Sequence, residues 1–154
     1  MNVKHVNAVC RATKGILATH FGIEVNHQSP KAGQATIPSN DVSVVLGVNG
    51  EVNGQIICSI DQKTAKNIVG VMMGGMTIQT LDEMGWSAIQ EFGNWVAGST
   101  ATELSKENCI IDVTPPMVND GKSHYRTNDM FLTVPLDSSL GMIDVHISLK
   151  EKAS

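Results

Sequence analysis

The sequence predicts an α+β fold, α/β in the broad sense: two pseudo-repeated helix–strand–hairpin halves forming an antiparallel-rich sheet with helices packed on it. Three observations predict it. Stretches with apolar residues at three- and four-residue steps give way to runs that alternate with period two. An Asn49-Gly50 pair stands between two such alternating runs, the strongest short-range hairpin signal. The order helix, short strand, proline, hairpin occurs twice, and with the halves laid 80 residues apart Ala8-Val9 falls on Ala88-Ile89.

Taken in order, Val3, Val6, Cys10, Thr13 and Leu17 mark a helix over Val3–His20, with Val9 and Ile16 widening its apolar stripe. A short strand over Ile23–His27 and a polar loop through Pro30 follow. The hairpin pairs Val42–Val48 with Glu51–Ile60. Asp61 caps a helix bearing Ala65, Ile68, Val69 and Met72, which Gly74-Gly75 ends. Thr80 and Glu83 match a capping box for a helix running to about Ser105. Cys109–Val113 reads as a strand broken by Pro115-Pro116, because tandem prolines cannot donate to a ladder. Asn119–Asp129 reads as a polar loop. Strands near Met130–Leu136 and Met142–Lys150 close the chain, joined by a turn at DSSLG.

At 154 residues, with 42% hydrophobic and 17% charged positions, the chain fits one domain over 1–154 with a core of its own. A net charge of −4 without a basic run argues against nucleic acid, which needs clustered Lys and Arg. Cys10, Cys58 and Cys109 are odd in number and widely spaced, so three buried, reduced thiols are expected. The five histidines lack ligand spacing, and the glycine pairs form no phosphate loop. No signal-like start and no apolar run of membrane length are seen, so a cytoplasmic protein is expected, with no membrane partner.

The third helix carries the informative pattern. Leu81, Met84, Ala88, Phe92, Trp95 and Val96 share a core face, while Ser87, Glu91, Asn94, Gly98 and Ala101 form a second stripe. That stripe is polar at one end and nearly free of side chains at the other. Interior glycines cost a helix about 0.8–1.0 kcal/mol each relative to alanine, so Gly93 and Gly98 need a reason. One reason is a partner whose backbone approaches the stripe; the other is a solvated face whose glycines pack on the sheet. Spacing alone leaves both open.

The pattern Ser87-x-x-x-Glu91-x-x-Asn94, within the run that continues as EFGNWVAGSTATELS from Glu91 and with a later proline in VTPPMV, resembles the signature of the CheC/CheX/FliY chemotaxis phosphatases. Twenty residues lie between Asn94 and Pro115 and twenty-one between Asn94 and Pro116, slightly short of the family's gap. The first helix offers Arg11 and Lys14 where a second Glu/Asn pair would stand, so the one-site CheX form is the nearer match. The resemblance implies hydrolysis of the aspartyl phosphate on a phosphorylated CheY-like response regulator. It makes Glu91 and Asn94 catalytic: Asn94 orients the attacking water, and Glu91 anchors the receiver's lysine. Ser87, Gly98, Pro115 and Pro116 become partner-binding residues. No cofactor of its own is implied, since the receiver holds the Mg²⁺, and a homodimer is expected. A receiver-docking or flagellar-switch module without hydrolysis is the alternative.

Overall fold

The computed structural model describes residues 1–152 and contains three helices and an antiparallel sheet. Helix α1 spans Val3–Phe21, α2 Gln62–Met72 and α3 Glu83–Lys106. The strands are β1 Asn26–His27, β2 Lys31–Gly33, β3 Thr36–Ser39, β4 Val42–Gly50, β5 Val52–Ile60, β6 Ile111–Val113, β7 Met117–Asp120, β8 Ser123–Arg126, β9 Phe131–Ser138 and β10 Gly141–Glu151. The main sheet runs β1-β9-β10-β5-β4-β6, with β2 also on β9 and β7 also on β4. Its centre is the long β5–β10 ladder, from Val52↔Glu151 to Ser59↔Asp144. The short strand after α1 thus pairs with the second hairpin, and the one after α3 with the first.

Side chains alternate across each strand, and here the alternation separates two layers. Val42, Val44, Leu46 and Val48 of β4, Ile56 and Cys58 of β5, and Val145 and Ile147 of β10 join α1, α2 and α3 in the main core. The reverse face of the sheet carries Ser43, Ser59, His146 and Ser148, all buried, with Ile57 and Phe131 among them. A two-stranded ribbon, β3–β8, lies over that face and adds Ile37 and Tyr125 to a second, smaller cluster.

Several expectations need correction. Thr80 does not open α3. Asp82 is the N-cap, its carboxylate accepting the Gly85 N–H at 2.9 Å, and Leu81 stays outside the helix as a buried side chain. An Asp cap does the same work as a Thr cap, and starting two residues later leaves an apolar residue free to pack. The first hairpin does not turn at Asn49-Gly50 alone: the register Val48↔Gly54 leaves residues 49–53 to connect the strands. There β4 goes on to pair with β6 and β5 with β10, so each strand finds its partner elsewhere. The Asn119–Asp129 stretch is not simply a loop. It holds the end of β7, on β4, and β8, on β3, neither of which shows strong apolar alternation. Of Ile23–His27 only the last two residues are strand.

Candidate functional site

Helix α3 is held along both flanks. On one side it runs antiparallel to α1: the His20 ring stacks on Trp95 with centroids 4.1 Å apart, and Ser99 donates to the Ala12 carbonyl at 3.3 Å. Further along, the Arg11 guanidinium reaches Glu103 at 3.2 Å and Glu107 at 3.0 Å. On the other side stands the proline segment. Gln90 Nε2 donates to the Pro116 carbonyl at 2.7 Å, and Thr114 is tied to Gly47 of β4 by two hydrogen bonds of 2.9 Å.

Gly93 explains how the proline fits. A Cβ at Gly93 would lie 2.9 Å from both the Pro116 ring and Val44 Cγ1, too close to keep. This glycine is therefore a packing glycine. Pro116 is buried against the helix while Pro115 is exposed, so of the two only Pro115 offers its ring to an incoming surface. The Gln90–Pro116 link was not read from the sequence. Its trace was there, in a Gln three residues before a glycine beside Asn94, but only contact gives the pattern meaning.

Gly98 behaves differently. A Cβ added there meets nothing within 4 Å, and the residue is exposed. No contact inside the chain requires glycine at this position, which removes close packing on the sheet as its reason.

Buried Gly85, Ile89, Phe92, Gly93, Val96, Thr100 and Leu104 form the inner face of α3. The outward line is Met84, Ser87, Glu91, Asn94, Gly98, Thr102 and Ser105, every one exposed. Met84, expected in the core, is 68% exposed, because it lies in the first turn and the helical rotation aligns it with Ser87. Ala101, expected on the stripe, is half-buried, as is Trp95. Ser87 to Gly98 covers roughly 16 Å of helix at about 1.5 Å per residue.

Glu91 and Asn94 stand one turn apart at the middle of this line. Side chains three residues apart on a helix are neighbours, about 5–6 Å between Cβ atoms. Among the described residues neither makes a side-chain hydrogen bond or an ion pair. The contrast with Glu103 is instructive: burial opposes its ionisation, yet hydrogen bonds from Lys106 and Arg11 outweigh it and hold its carboxyl below the usual range. Glu91 and Asn94 present an acceptor pair and a donor–acceptor amide to solvent from a rigid rod, free to engage something outside the chain.

The thiols lie elsewhere and are unsuited to nucleophilic work. Cys10, Cys58 and Cys109 are free and buried. Burial pushes Cys58 up to about 12 and Cys10 up to about 11, a nearby Lys14 only partly offsetting the latter. No described helix is long and apolar enough to cross a membrane.

Fold and site together define a class: an antiparallel sheet with a helical layer, whose longest helix presents Glu91 and Asn94 outward. A family model described as chemotaxis phosphatase CheX matches residues 42–137, a span containing both the Glu/Asn pair and the prolines. The CheY-P phosphatase CheX of Thermotoga maritima is 33% identical over 157 residues, covering 97% of this chain and 98% of that one. The chain belongs to the CheX family. Among solved structures, the chemotaxis protein CheX of Desulfovibrio desulfuricans superposes with a TM-score of 0.84 at 23% identity, covering 96% of this chain and 100% of the other. The CheX chain of a CheX–CheY–BeF3–Mg complex from Borrelia burgdorferi gives 0.80 at 24% identity, covering 97% and 100%. These two likenesses speak for the fold.

Proposed function

We propose that this protein hydrolyses the aspartyl phosphate of a CheY-like receiver domain, with Glu91 and Asn94 of α3 as its working residues. One observation carries the reading: in a chain of the CheX family, these two side chains stand outward and unpartnered on a helix braced on both flanks. The Thermotoga relative, named a CheY-P phosphatase, and the Borrelia complex with CheY support it.

The chemistry asks little of this chain. Water oxygen attacks phosphorus, the bond from phosphorus to the aspartyl oxygen breaks, and the receiver's carboxylate leaves with its electron pair. Such transfers depend mainly on positioning and electrostatics. The Asn94 amide holds the water in line, its Oδ1 accepting a hydrogen bond from the water while its Nδ2–H donates to a phosphoryl oxygen, and the water's proton ends on the inorganic phosphate that is released. Glu91 pairs with the receiver's lysine and fixes the docked helix. Mg²⁺, when bound to the receiver, neutralises phosphoryl charge, and this chain supplies no ligand to it. Ser87, Gly98 and Pro115 border the contact, and Pro116 positions α3 from behind. A hundredfold acceleration needs only about 2.7 kcal/mol, within reach of one ordered water.

The decay of a phosphorylated cognate receiver tests the reading. Wild type speeds decay; Asn94→Ala removes the acceleration, about a hundredfold, yet still binds the receiver; Glu91→Ala weakens both. Wild type that binds receivers of its own cell without changing their decay would make the protein a docking module instead. We also propose that it works in the cytoplasm as a homodimer joined through an exposed strand edge, since such edges offer unpaired backbone groups. Sedimentation at low micromolar concentration is expected to show a dimer, and a monomer alone would refute that part.

A further inference from the structure

The pair Arg11 and Lys14 of α1, which an 80-residue sequence offset lays against Glu91 and Asn94, is left unused by this mechanism. In the structure it borders a cavity of about 520 Å³ between α1 and β9, beneath the segment from His27 to Pro30. Val6, Cys10 and Val134 give the cavity an apolar wall, and Asn7, Lys14 and His27 set polar groups around it. The volume falls within the range of small-molecule sites, roughly 300–1,000 Å³, and so does the composition, an apolar hollow with a few converging polar groups.

The charges decide what it suits. No Asp or Glu is among the lining residues. Arg11 is already committed, its Nε to Glu103 and one terminal nitrogen to Glu107. Those two carboxylates offset its charge, so it attracts a further anion less than a free arginine would. Lys14 is the remaining cation. Among the described residues its ammonium has one hydrogen-bond partner, His27 Nδ1 at 3.3 Å, and makes no ion pair. A net charge of −4 on the whole chain opposes anions at long range, but screening confines that field to about 10 Å or less in ordinary salt. Inside the cavity the lone ammonium dominates.

The geometry points to a binding site for a small carboxylate with an apolar body: its carboxylate on Lys14 and Asn7, its body against Val6, Cys10 and Val134. The site binds without covalent chemistry, because burial keeps the Cys10 thiol protonated. It lies apart from the Glu91/Asn94 line, so it stands or falls independently of the phosphatase reading.

Benzoate is a suitable probe, titrated into the full-length protein and followed in backbone and imidazole NMR resonances. Saturable shifts centred on Asn7, Lys14 and His27 are expected, and inorganic phosphate should bind at least about tenfold more weakly. Lys14→Met keeps the apolar stem and removes the charge, and should cost roughly tenfold or more in affinity, as loss of a charge-assisted hydrogen bond does. Cys10→Met, which fills the apolar wall, should weaken benzoate to a similar degree. The inference is overturned if benzoate shifts do not saturate, if phosphate equals benzoate, or if Lys14→Met melts like wild type and binds benzoate equally well.

Discussion

An amide at position 94 and a carboxylate at position 91 are nearly isosteric with their alternatives, so charge, not shape, distinguishes them. Replacing Asn94 by Asp keeps the length and branching of the side chain but aims a negative group at phosphoryl oxygens that are themselves negative. Asn94→Asp should therefore lose acceleration as Asn94→Ala does and, in addition, bind phosphorylated receiver worse than unphosphorylated receiver. A pull-down with both receiver forms, read beside the decay assay, checks this. If Asn94→Asp retains activity, the water-positioning role is wrong even should the docking be right. Ser87→Ala belongs to the same experiment. Ser87 lies one turn before Glu91 on the exposed line, where it can touch a partner, and no nucleophilic duty is assigned to it. Its loss should raise the receiver concentration needed while leaving the maximal rate within about threefold, a binding effect under ~1 kcal/mol.

At the scale of the element, α3 contains two interior glycines that the sequence presents alike and the structure separates. Gly93→Ala drives a methyl to 2.9 Å from the Pro116 ring and Val44, and overpacking of this kind costs about 1–3 kcal/mol. Gly98→Ala has open space around it and should stabilise the free protein by up to about 1 kcal/mol through helix propensity, raising Tm by a few degrees. The same methyl stands where the receiver is to approach, so docking should weaken although the fold improves. Thermal melts beside receiver titrations would show this opposition; a Gly98→Ala protein that melts higher and docks unchanged removes Gly98 from the interface. The pairing also shows what was legible in advance. Most of the α3 stripe, the alternation of the central strands and the Asp61 cap were readable because each is a local pattern of side chains, whereas the outward turn of Met84 and the longer connection between β4 and β5 were not. The cap at Asp82 was not, because two acceptable capping residues lay within three positions and tertiary burial of Leu81 favoured the second. Nor were β7 and β8, polar strands ordered by neighbours distant in sequence. The seat of Pro116 on Gly93 joins segments more than twenty residues apart and exists only as contact.

Across the whole molecule, the sheet separates two environments, and His146 shows what the second one costs. The residue is 4% exposed on the face under the β3–β8 ribbon, near Phe131, with Nδ1 on the Thr133 hydroxyl at 2.7 Å and, among the described residues, no partner for Nε2. Burial pulls its pKa down from 6.5 to about 4. Between those values the unfolded chain takes up a proton that the folded chain refuses, so acidification favours unfolding in that window. One proton contributes at most about 1.4 kcal/mol per pH unit, and the loss should begin near pH 6.5 and level off near pH 4 as the folded ring protonates too. Asp144, two residues earlier on the same face, works in the other direction. Burial raises its carboxyl, a nearby Lys31 only partly opposing, so its proton uptake favours the folded state as pH falls. The two are separable by comparison. His146→Phe deletes the histidine's contribution and leaves Asp144 in place, so its melting temperature should fall less steeply than wild type between pH 6.5 and 4. Parallel curves for the two proteins would mean that the imidazole titrates alike folded and unfolded, and that the layer beneath the ribbon is wetter than the packing of Ile37, Ile57 and Phe131 implies.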